Sequence, residues 1–271
     1  MPGLPERVLG CYWTYWNGPA LASLPPAYNT VYLFSALPAG GAPGTTGGVT
    51  WSQDREPAAR FRASLAGLRA AGRCVILSAG GAHAYLRLDT TGRADAFIAS
   101  ITAIHRELGG FDGVDLDIEG GPVWPGQLGY VARSLKAAFG AGFAITIPPG
   151  PWDAAAQRAC RALCTAGLVD FVAPQYYDMT GPGSEAARIS YLTTASEEWL
   201  GVVNGRASKL GLGYGMPPAA VQTMSLASFA AAWTRLRRAH PALRGVFCWE
   251  AAADASQGYP FAATMAPLVT P

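Results

Sequence analysis

Three acidic residues spaced two apart form the part of this sequence best suited to chemistry. Asp115, Asp117 and Glu119 alternate with aliphatic residues in the segment 111–119, whose composition indicates a buried strand. Because successive side chains of a strand point to opposite faces, the three carboxyls should share one face. Burying neighbouring ionisable groups is costly unless they are paired, protonated or bound to a cation. We therefore interpret this cluster as the acids of an active site.

Two other interpretations of the acidic cluster stay open. Backbone amides and neighbouring arginines can satisfy buried carboxylates without any chemistry, since ion-pair networks also perturb acids. Carboxylate oxygens are also ligands for divalent cations. The three histidines, His83, His105 and His240, are scattered along the chain, and no second acidic cluster offers obvious ligands. We therefore expect no metal.

The composition favours one catalytic domain over residues 1–271. A chain of 271 residues that is 50% hydrophobic can bury one large core. Charged residues make up 14%, the net charge is +2, and there is no run of lysine and arginine. We therefore expect neither nucleic acid nor a membrane as a partner, and we expect a monomer. No apolar run approaches the roughly 20 residues that cross a bilayer.

The amino-terminal segment and the cysteines bear on the compartment. Residues 1–7 lack the basic and apolar regions of a signal peptide, so we expect a cytoplasmic protein or a secreted one whose signal has been removed. The odd number of cysteines, five, leaves at least one free thiol. Three of them lie in apolar runs, where a cysteine is usually a small buried hydrophobic residue. We expect most thiols to be reduced.

Short apolar runs alternate with helical segments along the whole chain, which predicts an α/β fold. The predicted strands are Val8–Trp13, Thr30–Leu37, Cys74–Ser78, Gly113–Ile118, Phe143–Ile147, Val169–Gln175, Leu210–Tyr214 and Gly245–Trp249. The predicted helices are Asp54–Ala71, Arg93–Leu108, Gln127–Phe139, Ala154–Ala166, Ala187–Val202 and Leu226–Arg238. Eight strands that alternate with helices predict a (β/α)8 TIM barrel in a single domain. A doubly wound open sheet is the alternative.

Polar and aromatic residues follow several predicted strands, and in a barrel the chemistry lies at these ends. The segments concerned are 78–81, 175–178 and 249–250. Segment 78–81 is no nucleophile elbow, because Ile76 stands where that motif needs glycine. The glycines at 211, 213 and 215 lack the spacing of a dinucleotide-binding loop, and we expect them to form a tight turn.

These residues together resemble the family-18 glycoside hydrolases, the chitinases and their relatives. The family's motif Asp-x-x-Asp-x-Asp-x-Glu is matched in full by Asp112, Asp115, Asp117 and Glu119. The other resemblances are the Ser-x-Gly-Gly motif at Ser78, Gly80 and Gly81, the sixth-strand Tyr177 beside Gln175 and Asp178, the eighth-strand Trp249, and the aromatics Tyr12 and Phe34 of the first two strands. The resemblance spans nearly the whole chain in the family's order.

The resemblance implies substrate-assisted catalysis, in which the 2-acetamido group of the sugar attacks its own anomeric carbon. Glu119 is then the general acid, Asp117 orients the acetamido N–H, and Asp115 shares a proton with Asp117. Tyr177 donates to the acetamido carbonyl, and Trp249 forms the apolar floor. Asp112, which has the other parity, binds backbone at the start of its strand.

The remaining roles that the resemblance implies concern binding. The substrate-binding residues are Gln175, Trp249, Tyr12, Phe34, Asp178 and Gly80, and the structural ones are Asp112, Ser78 and Gly81. No metal and no cofactor is implied, and the expected substrate is chitin or a chito-oligosaccharide.

Two departures from the family's pattern concern the cleft. The fifth strand ends in Pro148-Pro149-Gly150, where many members have an acid, and the region between the last two strands has no room for an inserted subdomain. An open cleft favours endo action. The alternatives are an endo-β-N-acetylglucosaminidase on N-glycans, a peptidoglycan-active relative, and a non-catalytic chitin-binding lectin.

Overall fold

The chain forms a barrel of parallel strands surrounded by helices. This computed structural model describes residues 3–40, 45–179 and 183–270. Its strands are β1 (Val8–Thr14), β2 (Thr30–Pro38), β3 (Val49–Thr50), β4 (Cys74–Gly80), β5 (Gly113–Asp117), β6 (Ala144–Ile147), β7 (Phe171–Val172), β8 (Gly211–Gly215) and β9 (Gly245–Trp249).

Hydrogen bonds join the strands of the barrel in the order β7-β6-β5-β4-β2-β1-β9-β8. Isolated parallel bridges between Val172 and Leu210 and between Gln175 and Gly213 connect the two ends of this row. The eight parallel strands therefore surround a closed interior, and β3 lies outside it as an antiparallel partner of β2. The predicted (β/α)8 barrel is confirmed, and the alternative of an open doubly wound sheet is wrong.

Eight α-helices of the described residues cover the barrel. They are α1 (Ala58–Ala70), α2 (Thr91–Glu107), α3 (Pro125–Phe139), α4 (Ala154–Thr165), α5 (Glu185–Val202), α6 (Leu226–Ala239), α7 (Ala251–Ser256) and α8 (Pro260–Val269). The connection from β1 to β2 holds only a 3-10 turn, Leu21–Ser23. Prolines at 19, 25 and 26 account for this, because proline removes a helical hydrogen bond and its ring clashes with the preceding turn.

Strand alternation divides the core into two parts. In β1, Val8 and Tyr12 point into the barrel, whereas Leu9, Cys11 and Trp13 pack against the helices. In β5 the same alternation of side chains places those of residues 115 and 117 inside the barrel. The interior is therefore the only place to which the odd-numbered acids of β5 can point.

The three glycines of β8 face the barrel interior, so the expected tight turn was wrong. A Cβ on Gly211 would lie 2.3 Å from the Phe171 ring, and one on Gly213 would lie 2.3 Å from the Phe247 ring. A Cβ on Gly215 would lie 2.3 Å from Ala220 Cβ and 2.6 Å from Tyr177 Cβ. The spacing of two is the inward repeat of a strand, and the missing side chains leave room for aromatic rings.

Two predicted boundaries differ from the structure at prolines. The strand predicted over 169–175 is regular only at Phe171–Val172, with a single bridge at Gln175. Pro174, between them, has no N–H to donate to a neighbouring strand. The helix predicted from Asp54 begins at Ala58, directly after Pro57.

Two general findings concern the surface and the thiols. No helix in residues 3–40, 45–179 or 183–270 is both long and apolar enough to cross a membrane. All five cysteines are buried and free, as a reduced set of thiols requires.

Candidate active site

The three acids of the sequence motif meet at the carboxyl end of β5. Asp115 and Asp117 are buried inside the barrel mouth, and Glu119 follows two residues after the strand ends, half-buried. Asp117 and Glu119 line a cleft of about 680 Å³ across that end of the barrel. The predicted shared face is therefore observed. Asp115 lies deepest in the barrel and Glu119 lies nearest the solvent.

Asp115 is held by three hydroxyl groups, from the neighbouring strands β4 and β6 and from β1 across the barrel. The donors are Tyr12 Oη at 2.9 Å, Ser78 Oγ at 2.8 Å and Thr146 Oγ1 at 2.5 Å. Burial raises the pKa of Asp115 to about 6, although the three hydrogen bonds favour the ionised form and lower it. Ser78, expected to be structural, thus contacts the cluster directly.

Asp117 lies between the other two acids of the motif and interacts with both. Burial, the charge of Glu119 and the charge of Asp115 together raise the pKa of Asp117 well above its usual range. A hydrogen bond to Glu119 also favours the protonated form of Asp117. The expected sharing of a proton between Asp115 and Asp117 stays a prediction, and Glu119 is a further partner for Asp117.

Gln175 ties the two outer acids to the neighbouring strand. Its Nε2 atom donates to Glu119 Oε1 at 3.1 Å, lies 3.4 Å from Asp117 Oδ1, and donates to the carbonyl of Pro148 at 2.7 Å. Sequence reasoning assigned Gln175 to substrate binding. In the structure its amide orients the carboxyl of Glu119.

An aromatic wall faces the acids across the cleft. Trp249, at the end of β9, lies edge-on to Phe34 with ring centroids 4.7 Å apart and lies 5.7 Å from Tyr12. All three line the cleft, as expected of substrate-binding residues. Barrel closure brings them together, since they follow three adjacent strands, β9, β1 and β2.

Tyr177 lines the same cleft from the loop after β7. Burial raises the pKa of its hydroxyl well above the usual range, and the charges of Asp117 and Glu119 raise it further. The phenol therefore stays neutral and keeps a proton to donate. Its position beside the two acids is that of a group able to contact the same ligand.

The two glycines after Ser78 are required by their surroundings. Gly80 has φ +105°, and a Cβ there would lie 2.1 Å from the carbonyl oxygen of Asp117. Gly81 has φ +115°, and a Cβ there would lie 2.6 Å from the ring of Phe34. Both residues line the cleft. Without a side chain, Gly80 lets β4 lie close to the backbone of Asp117, and Gly81 lets the Phe34 ring pack against it.

Two further acids serve the scaffold. Asp112 pairs with Arg69 at 3.0 Å and accepts from the backbone N–H of Val75 at 3.0 Å, the backbone contact that its parity predicted. Asp178 lines the cleft but is exposed, and its carboxylate accepts from the N–H of Val221 at 2.6 Å. This bond joins the loops after β7 and β8, a role that the sequence did not indicate.

Sequence reasoning missed three residues of the site. Thr146 binds Asp115, and its inward parity in β6 was a usable signal. Trp16 and Trp152 line the cleft and are 45% and 55% exposed. Each follows a strand within five residues, so its place in the chain was informative, but its exposure was not visible in the sequence.

A buried carboxylate supports the Trp16 side of the cleft. Glu250 is 3% exposed and accepts from Thr14 Oγ1 at 2.6 Å and from Asn17 Nδ2 at 3.2 Å. Thr14 also binds Asn17 directly. These bonds fix both flanks of the turn that carries Trp16.

Within the part of the chain that the structure describes, no group of three or more histidine, cysteine, aspartate and glutamate side chains is placed to hold a metal ion.

Comparison with known proteins identifies a family and several related sequences. The model of "Glycosyl hydrolases family 18" matches residues 8–250. Endochitinase 37 of Trichoderma harzianum is 29% identical over 167 residues, 53% of this chain and 48% of that protein. A chitinase of Enterococcus faecalis is 29% identical over 201 residues, 66% of this chain and 56% of that protein. The chain thus spans about half the length of these curated relatives.

Solved structures share the barrel at lower identity. A family 18 chitinase from Chromobacterium violaceum has a TM-score of 0.83 and 22% identity, covering 100% of this chain and 85% of that one. A xylanase and α-amylase inhibitor protein from Scadoxus multiflorus has a TM-score of 0.74 and 18% identity, covering 97% and 98%. Since a chitinase and an inhibitor protein both share this barrel, the likeness establishes the fold, and function must be argued from the site.

Proposed function

Because this chain belongs to glycosyl hydrolase family 18, we propose that it is an endo-acting, retaining chitinase that hydrolyses β-1,4-linked N-acetylglucosamine polymers. The observation that carries the proposal is the meeting of the Asp117 and Glu119 carboxyls at one open cleft, where the amide of Gln175 contacts both. A binding protein has no need for a buried acid pair poised to exchange a proton. Folding such a pair is costly, and catalysis is the use that explains the cost.

The first step breaks the glycosidic bond. Glu119 donates its proton to the glycosidic oxygen while the acetamido carbonyl oxygen of the same sugar attacks the anomeric carbon. The bond from carbonyl oxygen to carbon forms as the bond to the leaving sugar breaks. The product on the enzyme is an oxazolinium ion, and the leaving sugar carries away the proton of Glu119.

Asp117 supplies the proton that makes Glu119 an acid. In the free protein that proton lies on Asp117, which donates it to Glu119. When an acetamido N–H approaches Asp117, the ionised form of Asp117 becomes the better acceptor, and the proton passes to Glu119. The same transfer leaves a negative charge beside the forming oxazolinium, where it stabilises positive charge.

Two aromatic residues complete the subsite. Tyr177, which stays neutral, donates its hydroxyl to the acetamido carbonyl and holds that oxygen beneath the anomeric carbon. Trp249 offers a flat apolar surface to the sugar ring and excludes water from the intermediate. Together they hold the reacting atoms in an attack geometry, which is a large part of what positioning contributes to catalysis.

The second step returns the enzyme to its starting state. Glu119, now a carboxylate, removes a proton from water, and the water oxygen bonds to the anomeric carbon. The bond from that carbon to the acetamido oxygen on the opposite side breaks, which restores the acetamido group. Two displacements at one carbon give net retention. Glu119 regains the proton that it lost to the leaving sugar.

The shape of the cleft supports endo action. Aromatic residues line it on the side of β1 and β9 and again on the side of β6, so sugars can extend in both directions from the acids. Among the described residues between β8 and β9, α6 is the one helix.

The test is a product time course on chitohexaose with the wild type and Glu119→Gln, each with and without EDTA. We expect dimers and trimers from the wild type, no effect of EDTA, and loss of nearly all cleavage in the variant while chitohexaose still binds. Cleavage of an N-glycan or of peptidoglycan but not of chitohexaose would reassign the substrate. Binding of chitohexaose by the wild type without cleavage would show a lectin, and loss of activity in EDTA would show metal chemistry.

A further inference from the structure

Trp152 is an exposed indole that the proposed reaction leaves without a role. It is the most exposed of the eight tryptophans, with 55% of its surface accessible, yet it lines the same cleft as Glu119. Exposing an indole to water costs free energy in proportion to the apolar area exposed. Such a residue in a binding cleft is a candidate for contact with a ligand.

The turn that carries Trp152 is held rigidly. The carbonyl oxygens of residues 148–151 all accept hydrogen bonds. The donors are Gln175 Nε2 at 2.7 Å for Pro148, Gln175 N at 2.9 Å for Pro149, Asp153 N at 3.0 Å for Gly150, and Trp199 Nε1 at 3.1 Å for Pro151. The indole itself lies against Gly150, where a Cβ would be 3.6 Å from the ring. A ligand that binds here need not order the turn first.

The rigid turn is also fixed relative to the acid. The Nε2 atom that binds the Pro148 carbonyl also donates to Glu119 Oε1 at 3.1 Å. One amide therefore sets the distance between the base of the Trp152 turn and the general acid. A sugar chain that extends from Glu119 toward the end of β6 therefore extends toward Trp152.

The order of strands places Trp152 opposite the other exposed tryptophan. Trp16 follows β1 and Trp152 follows β6. These two strands are four steps apart around the barrel in either direction. Trp16 adjoins Trp249, with ring centroids 6.5 Å apart. Glu119, in contrast, follows β5, the strand next to β6. The cleft thus has an aromatic residue at each end, with the acid on the Trp152 side of its centre.

We propose that Trp152 is the stacking platform for a β-linked N-acetylglucosamine residue on the leaving-group side of the scissile bond. This inference rests on the proposed function, which puts the attacked sugar over Trp249 and its leaving group beside Glu119. The axial C–H groups of a β-linked pyranose form a flat apolar face that matches an indole. The platform selects substrates with at least one sugar beyond the cleaved linkage and sets the cleavage position in longer chains.

The experiment compares Trp152→Ala with Trp16→Ala on chitohexaose labelled with ¹⁸O at its reducing end. Loss of the leaving-side platform makes the hexamer slide toward Trp16, so Trp152→Ala should give shorter labelled fragments than the wild type. Trp16→Ala should shift the pattern in the other direction. Trp152→Phe, which keeps a flat ring, should retain the wild-type pattern. An unchanged pattern in Trp152→Ala, or shifts of both alanine variants in one direction, would overturn the assignment.

A binding titration separates this inference from the proposed function. Calorimetry with chitohexaose in the Glu119→Gln background should show about tenfold weaker binding for Trp152→Ala and little change for Trp152→Phe. If the wild type fails to cleave, the proposed function falls, and this titration still decides whether Trp152 binds sugar. Equal affinity with and without the indole would overturn the platform even in an active enzyme.

Discussion

At the scale of single residues, the proposed reaction depends on one proton held between two carboxyls. Asp117 is protonated because it is buried beside Glu119 and above Asp115, and not because of any property of aspartate itself. Asp115 contributes from below as a fixed charge that three hydroxyls hold in place. The three acids thus have three environments, and their different roles follow from depth in the barrel.

The role of Asp117 can be tested by removing its ability to carry a proton to Glu119. Asp117→Asn should lower kcat by about a hundredfold or more and change KM much less, because the lost interaction develops in the transition state. Steady-state kinetics on chito-oligosaccharides measure both constants. Asp54→Asn, an exposed aspartate outside the cleft, is the matched control. A kcat within twofold of the wild type would contradict the assignment.

The raised pKa of Asp115 predicts a pH-dependent cost in stability. Its pKa is about 6 in the folded protein against the ordinary value of 3.8, so its contribution to stability is fully present below pH 3.8 and is lost as pH rises through 6. A shift of this size corresponds to at most about 3 kcal/mol. Asp115→Asn does not ionise, so it should gain up to that amount relative to the wild type between pH 3.5 and 7.

Urea unfolding of both proteins at several pH values measures this effect. The difference between the two free energies of unfolding cancels every other titrating group that the variant leaves unchanged. A difference that stays constant within about 0.5 kcal/mol over this range would show that Asp115 titrates alike in both states.

At the scale of elements, close approach of neighbouring strands positions the acids. Strand β4 pairs with β5 so tightly at Gly80 that a methyl group there would meet the carbonyl of Asp117 at 2.1 Å. On the opposite side of the cleft, the carboxylate of Glu250 holds the turn that carries Trp16. Each contact joins an element bearing catalytic groups to one that does not.

The contact between β4 and β5 predicts opposite effects for two substitutions of the same kind. Gly80→Ala should destabilise the protein by at least about 2 kcal/mol and reduce activity, because its positive φ and the nearby carbonyl both exclude a Cβ. Gly67→Ala, inside α1 with no atom within 4 Å of its Cβ, should stabilise by about 0.5–1 kcal/mol. Chemical denaturation compares them. Equal effects of the two substitutions would contradict the inferred close contact.

The bonds of Glu250 predict a defect in binding. Glu250→Gln keeps the shape of the side chain but replaces one acceptor oxygen by a donor, so it loosens the Trp16 turn. We expect KM for chitohexaose to rise roughly tenfold, the order expected for losing a hydrogen bond to a charged group, with kcat nearly unchanged. Glu6→Gln, at an exposed glutamate, is the control. A fall in kcat with constant KM would show instead that Glu250 acts on the reaction.

The sequence predicted elements better than contacts between them. The barrel strands are recognisable as short, mostly apolar runs, and the shared direction of Asp115 and Asp117 follows from strand geometry alone. The pairing of Asp117 with Glu119 was not predictable, because Glu119 lies beyond the strand and its direction depends on the loop and on Gln175. The inward glycines of β8 were misread because their aromatic partner rings come from distant parts of the sequence.

At the scale of the whole molecule, barrel closure turns linear order into position around one cleft. Trp16 and Trp249, 233 positions apart, become neighbours because β1 pairs with β9. Trp152 reaches the opposite end because β6 is four strands from β1. None of these relations is local in sequence. They follow once the number and order of strands are known, so the predicted fold class already contained them in principle.

The central claim is that the acetamido group of the substrate, and not a side chain, attacks the anomeric carbon. The most direct measurement uses aryl chitobiosides whose reacting sugar carries an acetamido methyl with none, one, two or three fluorines. Fluorine withdraws electrons from the carbonyl oxygen, so kcat/KM should fall steeply with each fluorine added. Equal rates across the series would mean that the carbonyl oxygen is not the nucleophile and would contradict the account.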